Sequence, residues 1–167
     1  MPDGTEETGI GASVRRKEDY RFLTGQGNYT DDINRPNQTY AFILRSQKAH
    51  AKITIKTDKA KKATGVVAIF TGDDMQVGSI PCGWQVDSKD GTPMREPEHP
   101  LLAKGVVRYV GDQIAVVIAT SLNAAKDAAE LIDVDYSPLP VAVDLMTAAN
   151  SNGKHGALVH PDLGTNL

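Results

Sequence analysis

A strand that runs directly into a helix is the feature of this sequence that most constrains its fold. The stretch RYVGDQIAVVIATS, from Arg108 to Ser121, contains a β-branched run at Ile114–Ala119 that is apolar enough to be a buried strand. Ser121 is a good helix N-cap, and the apolar residues after it fall on one helical face: Leu122, Ala125, Ala129 and Ile132. Another strand follows in DVDYSP, where prolines end it. This order predicts a fold of the α/β or α+β class.

Three strands and a short helix are predicted before that stretch. Thr39–Arg45 is an apolar strand, and Ala51–Thr57 alternates apolar and polar residues, as a strand with one wet face does. Asp58 begins a short helix, DKAKKAT, which Gly65 ends, and a β-branched strand follows at Val66–Phe70.

The middle of the chain has no period. Gln76 to Pro100 is rich in proline, and so long an irregular excursion is typical of a segment that is functional or contacts a partner. Regular structure resumes as a strand in GVVRYV, and Asp144 opens a last short helix, LMTAAN.

Charge and composition exclude several classes of partner. With a net charge of −3 there is no electrostatic reason to expect nucleic acid, and no apolar run is long enough for a transmembrane helix. The polar N-terminus is unlike a secretory signal, so a cytoplasmic location is predicted. The single cysteine, Cys82, excludes intrachain disulfides and cysteine-based zinc or iron–sulfur sites built from this chain alone.

Two glycine-containing segments invite comparison with cofactor cradles. A dinucleotide site needs three glycines after a first strand, whereas Gly111 stands alone before its strand, and we expect it to turn a β-corner. In TGQGN, Thr24–Asn28, Gly25 and Gly27 could offer N–H groups to an anion or let the loop pack flat on a neighbouring surface. Flat packing is the favoured interpretation, because no strand precedes the loop.

The remaining chemistry-bearing residues do not combine into an active site. Cys82 lacks an identifiable activating base, and Trp84 is better interpreted as a protein–protein anchor. None of the histidines has metal-ligand spacing: His50, His99, His155 and His160. The acid pairs Asp31-Asp32 and Asp73-Asp74 fit turns and caps, and Asp133 and Asp135 share a strand face. The sequence therefore predicts no catalytic, cofactor-binding or metal-binding residue.

Several segments together resemble a known family. In chain order they are SVRRKEDYRFLTGQGNYTDDI, ILRSQKAHAKI, ATGVVAIFTGDDM, HPLLAKGVVRYVGDQIAVVIATSLNAAKDAAELIDVDYSPLPVAVD and HPDLGTNL. They are similar to the N-terminal part of the molybdopterin-binding large subunit of the xanthine oxidase and aldehyde oxidase family. Within that family the chain looks most like carbon monoxide dehydrogenase large chains.

The resemblance implies an α/β-hammerhead with a mixed sheet in β-β-α-β-β-α-β order. It implies the hammerhead at 11–150 and a linker at 151–167 toward a domain that holds the molybdenum cofactor. Residues 1–10, which precede the resemblance, are predicted to form a flexible tail. It also implies partner subunits or domains that carry two [2Fe–2S] clusters and FAD. The family's catalytic residues would follow Leu167, so none is carried over, and this part of the enzyme is expected to be a non-catalytic scaffold.

The resemblance makes subunit docking the leading hypothesis for the exposed loops. Gly25, Gly27 and Tyr29 are the predicted docking residues of the first glycine-rich loop. Two other hypotheses stay open. One is a free-standing binding module that takes an anionic ligand at Ser121 or at Thr24–Asn28, and the other is a small hydrolase that uses Cys82.

Overall fold

The computed structural model describes residues 9–12, 16–153 and 156–167. The chain forms two compact units, Met1–Gln38 and Thr39–Leu167. Most of the predicted tail at 1–10 therefore lies outside the described residues. In the first unit, helix α1 spans Asp19–Leu23, and a 3₁₀ turn spans Thr30–Asp32.

The second unit contains six strands and two helices. The strands are β1 (Tyr40–Arg45), β2 (Ala51–Lys56), β3 (Val66–Thr71), β4 (Val106–Val107), β5 (Gln113–Ala119) and β6 (Asp133–Pro138). The helices are α2 (Leu122–Glu130) and α3 (Leu145–Gly153). Short 3₁₀ turns lie at Ala60–Lys62, Gly72–Asp74 and Pro161–Leu163. No helix in the described ranges is both long enough and apolar enough to cross a membrane.

The strands form two three-stranded antiparallel sheets rather than one mixed sheet. The strand orders are β1-β5-β3 and β4-β2-β6. The α/β-hammerhead fold is confirmed, but the mixed-sheet detail is wrong. The reason is that α2 carries the chain from β5 in one sheet to β6 in the other, so this crossover creates no parallel pair.

One apolar core joins both sheets and α2. Most of its members are alanines and β-branched residues, among them Ala51 and Ile53 of β2, Val107 of β4, and Ile114 and Val117 of β5. Small side chains let the helix backbone approach the sheet closely, and α2 packs on β1 and β5. The core therefore fixes the position of the β4–β5 connection.

The helix α2 begins as predicted and buries a slightly different face. The Ser121 hydroxyl accepts a hydrogen bond from the Ala124 N–H at 3.1 Å, which confirms the N-cap. Ala125, Ala128 and Ala129 are buried, followed by Ile132. Leu122 was predicted on this face but is 43% exposed, because at 100° per residue it lies at the edge of the buried stripe.

Two local predictions are corrected by the structure. The helix expected from Asp58 is only the 3₁₀ turn Ala60–Lys62, because the connection between β2 and β3 is too short for cooperative helix growth. The strand expected in GVVRYV is reduced to the two residues of β4. It ends because the Arg108 N–H donates to the Asp112 carboxylate at 2.9 Å and not to a strand partner.

Candidate functional site

The connection between β4 and β5 is a tight corner around Gly111. Gly111 has φ +94°, in the left-handed region that favours glycine, and its N–H donates to the Ser46 carbonyl at 2.8 Å. The Arg45 guanidinium donates to the Gly111 carbonyl at 3.0 Å. The corner is thereby tied to the end of β1.

Buried polar groups hold this corner. Ser46 and Asp112 are the two buried polar side chains among the described residues. The Ser46 N–H donates to the Asp112 carbonyl at 2.8 Å, while the Asp112 carboxylate accepts from the backbone N–H of Arg108. Burial, and secondly the charge of Asp112, raises the pKa of the Tyr109 hydroxyl.

A pocket of about 640 Å³ lies between this corner and the irregular excursion. Apolar residues form much of its wall, among them Ile80, Met94, Val106 and Val159. The polar residues that line it are Cys82, Arg95, Glu96, Glu98, His99, Arg108, Tyr109, Asp112 and His160. Three residues that the sequence suggested separately, Cys82, His99 and His160, are therefore brought to one cavity.

Arg108 is the functional candidate that the sequence analysis missed. Its Nε is buried and has no hydrogen-bond partner in the described structure. Arg108 also lines a smaller, more polar pocket of about 360 Å³ with Lys104, Glu98 and Asp162. No local sequence signal marks it, because its environment is made by segments distant in the chain.

The geometry around Cys82 does not make a nucleophile. The Cys82 thiol donates to the Trp84 carbonyl at 3.2 Å, and its backbone N–H donates to the Glu96 carboxylate. Among the described residues, no histidine nitrogen is hydrogen-bonded to the thiol. Trp84 is 81% exposed, and the Cys82 loop is held by a second bond from Gln85 to Glu96 at 2.8 Å.

The histidines have separate environments. Nδ1 of His50 donates to the Pro140 carbonyl at 2.6 Å. The His99 ring meets the Tyr109 ring edge-on, with centroids 6.4 Å apart. Burial, and secondly the charge of Arg108, lowers the pKa of His160. His155 lies outside the described residues.

The acid pairs act as caps and turn residues, as predicted. The Asp32 carboxylate accepts from the Tyr29 N–H at 2.8 Å, and the Asp74 carboxylate accepts from the Thr71 N–H at 2.7 Å. Asp133 and Asp135 are exposed on β6. The Asp74 carboxylate also accepts from the Thr71 hydroxyl at 2.8 Å. The hydrogen bond from the Thr71 N–H, and secondly the one from its hydroxyl, lower the pKa of Asp74.

In the first unit, the glycine-rich loop closes the end of α1. The N–H groups of Thr24, Gly25 and Gln26 donate to the carbonyls of Tyr20, Phe22 and Arg21. Gly25 has φ +72°, and a Cβ on Gly27 would lie 2.5 Å from Cδ1 of Phe22. The Tyr29 ring stacks on Phe22 with centroids 5.3 Å apart, yet Tyr29 is 62% exposed. The loop is a compact support for an exposed aromatic ring.

Residues 24–140 match the family model described as "Aldehyde oxidase and xanthine dehydrogenase, a/b hammerhead domain". The chain belongs to this hammerhead family. The match covers both sheets, α2 and the Gly111 corner.

Curated relatives that the chain matches include large subunits of enzymes. It is 40% identical over 138 residues to the nicotine 6-hydroxylase large subunit of Paenarthrobacter nicotinovorans, covering 81% of this chain and 16% of that protein. It is 34% identical over 166 residues to the carbon monoxide dehydrogenase large chain of Afipia carboxidovorans, covering 91% of this chain and 20% of that protein. The chain thus spans one fifth or less of the length of these relatives.

Solved structures show the same hammerhead. Quinoline 2-oxidoreductase from Pseudomonas putida 86 matches with a TM-score of 0.77 and 34% identity, over 94% of this chain and 19% of that chain. The Cu,Mo-CO dehydrogenase matches with a TM-score of 0.69 and 35% identity, over 87% of this chain and 17% of that chain.

The described hammerhead residues do not supply the ligands of a metal ion or of an iron–sulfur cluster. In the described ranges no group of three histidine, cysteine or acidic side chains could hold a metal ion, and the chain has one cysteine where a [2Fe–2S] cluster takes four ligands. The N–H groups of Thr24, Gly25 and Gln26 are used within α1 and its cap. No redox step is therefore assigned to these side chains.

Proposed function

We propose that this chain is the hammerhead domain of the large subunit of a molybdenum-dependent oxidoreductase of the xanthine oxidase family. In this role it supports and docks the catalytic parts without holding reacting groups itself. The family match over residues 24–140 carries the proposal. It is supported by large-subunit relatives that extend well beyond the length of this chain.

The domain boundaries and partners belong to the same proposal. Residues 11–150 form the hammerhead, residues 1–10 a tail, and residues 151–167 a linker toward the domain that binds molybdopterin. An iron–sulfur partner and an FAD partner complete the electron-transfer chain, and the assembled protein is cytoplasmic. The names of the matched proteins mention nicotine, carbon monoxide and quinoline, which are chemically different compounds. The proposal therefore names no substrate for this chain.

Exposed aromatic residues are the proposed docking contacts. Tyr29 stands on the loop formed by Gly25 and Gly27, and Trp84 stands on the irregular excursion. Both rings keep most of their area in water in the isolated chain, and burial of such rings against a partner is a common source of interface free energy. Gly111 serves the scaffold by holding the corner between β4 and β5.

No specific observation favours the free-standing anion-binding module or the Cys82 hydrolase. The Ser121 hydroxyl is used as a helix cap. The N–H groups of Thr24, Gly25 and Gln26 are used to close α1. The Cys82 thiol bonds to a carbonyl oxygen.

The size and metal content of the native protein test the proposal. An antibody raised against the chain should detect a polypeptide several times longer than 167 residues in source cells. Its immunoprecipitate should contain molybdenum, iron and flavin together with two further polypeptides or domains. A band at the size of this chain, without molybdenum in the precipitate, would contradict the proposal.

Docking is tested separately in the native enzyme. Tyr29→Ala should reduce co-purification of the iron–sulfur partner, whereas Tyr20→Ala, which removes a 75% exposed ring from the same unit, should not. Trp84→Ala is paired with Val86→Ala, since Val86 is also exposed on the excursion. Equal partner recovery from all four variants would show that neither ring contributes to docking. The family assignment would not be affected by that result.

A further inference from the structure

Arg108 occupies an unusual position for an unpaired cation. Arg108 lines the cavity between the β4–β5 corner and the excursion. Its Nε is buried and has no hydrogen-bond partner in the described structure. A buried donor left unsatisfied loses its hydration without compensation, which is unfavourable. An acceptor that paired with the Arg108 guanidinium would offset part of this cost.

Nearby carboxylates do not supply that acceptor. The Asp112 carboxylate accepts from the backbone N–H of Arg108. Glu96 also lines the cavity, and its carboxylate accepts from the Cys82 N–H and the Gln85 amide. Glu98 lines both the cavity and the adjoining polar pocket, and Asp162 lines the latter, but neither forms an ion pair with Arg108 within the ranges the structure describes. The other arginine on the cavity wall, Arg95, donates to the Leu163 carbonyl at 3.1 Å. Among the described residues, the Arg108 side chain thus differs from that of Arg95 in having no protein acceptor.

The rest of the cavity favours an apolar body. Ile80, Pro81, Met94, Val106 and Val159 line it, and the edge-on ring pair of His99 and Tyr109 borders it. Its volume of about 640 Å³ lies in the range of small-molecule sites, which combine apolar walls with a few placed polar groups. A guanidinium binds planar carboxylates through parallel hydrogen bonds.

We infer that this cavity is a binding site for a small organic carboxylate, which pairs with the guanidinium of Arg108 and places its apolar part against Ile80, Met94 and Val159. Neither the family match nor the proposed scaffold function requires this site. A negative result in the binding test would therefore not bear on the family match or on the proposed scaffold function.

The test follows the Arg108 Nε–H resonance of the native full-length protein while sodium benzoate, benzamide or sodium acetate is added. Benzoate should shift this resonance saturably. Benzamide, which has the same ring without the charge, and acetate, which has the charge without the ring, should bind more weakly. Arg108→Gln should weaken benzoate binding by about 10- to 100-fold, since a hydrogen bond to a charged group contributes that much. Arg95→Gln is the matched control on the same wall and should leave the affinity unchanged.

Three outcomes would overturn the inference. One is the absence of saturable benzoate binding, and another is equal binding of benzoate and benzamide. The third is an Arg108 Nε–H resonance that indicates a hydrogen bond before any ligand is added and that shifts in Glu98→Gln or Asp162→Asn. A protein carboxylate would then already occupy the site. The wild-type resonance makes the test independent of whether Arg108→Gln folds, and Arg108→Lys, which keeps the charge, should retain part of the affinity.

Discussion

The Ser46 N–H donates to the Asp112 carbonyl at 2.8 Å, joining the end of β1 to the start of β5. Both residues are buried, although both are polar. The corner that they hold places Arg108 and Tyr109 on the cavity wall. A structural hydrogen-bond network thus sets the position of the proposed binding residue.

Asp112→Ala should destabilise the second unit by about 1–3 kcal/mol, because it leaves the Arg108 N–H without its acceptor at the start of the corner. Urea unfolding measures the change. Asp135→Ala removes an exposed carboxylate from β6 and should have little effect. If both variants lost the same free energy of unfolding, the corner would not depend on the Asp112 side chain.

Gly72→Ala should destabilise the chain by about 1–3 kcal/mol, since the added Cβ would lie 2.5 Å from the Ala103 carbonyl oxygen and backbone would have to move. Gly78→Ala is the control, because a Cβ there meets nothing within 4 Å. Thermal unfolding of the two variants makes the comparison. A stable Gly72→Ala protein would mean that the contact between Gly72 and Ala103 is looser than the structure has it.

Ser121→Ala should cost about 1 kcal/mol, because the Ala124 N–H at the start of α2 loses its acceptor. Ser121→Asp keeps an acceptor at the same position and should retain most of the stability. Denaturant unfolding with detection by circular dichroism is the measurement. Equal losses in the two variants would argue against a capping role.

Asp74 should give the chain an acid-sensitive contribution to stability. Its pKa is lowered in the folded state by the hydrogen bonds from Thr71, so the contribution is present above the usual aspartate pKa of about 3.9 and is lost as the pH falls through the lower folded value. Asp74→Asn should therefore be destabilised near neutral pH by at most about 1 kcal/mol, since the carboxylate is exposed and screened. At strongly acidic pH its free energy of unfolding should approach that of the wild type.

Asp73→Asn is the control for that titration. In the described structure the Asp73 side chain forms no hydrogen bond to Thr71, which bonds to Asp74 instead. Urea unfolding across the acidic range should therefore show the pH-dependent difference only for Asp74→Asn. A difference between Asp74→Asn and wild type that stayed constant with pH would rule out the carboxylate's charge as its cause.

Local patterns in the sequence predicted several elements correctly. The β-branched run at Ile114–Ala119 forms β5, the alternation from Ala51 forms β2, and Ser121 caps α2. The helix predicted from Asp58 and the long strand in GVVRYV were wrong, because loop length and the Arg108–Asp112 bond override their local propensities. The roles of Gly25, Gly27, Tyr29 and Trp84 in docking stay predictions.

The sequence by itself determined the order of most elements, the caps and the family resemblance, because these depend on residues a few positions apart. Tertiary structure alone decided that two antiparallel sheets share one core, and that Cys82, Arg108 and His160 meet at one cavity. Such meetings depend on which distant segments pair, and the free energy of closing long loops is recovered only when the whole core packs. The burial of the Arg108 Nε without a hydrogen-bond partner among the described residues results from that packing, so only the folded chain reveals it.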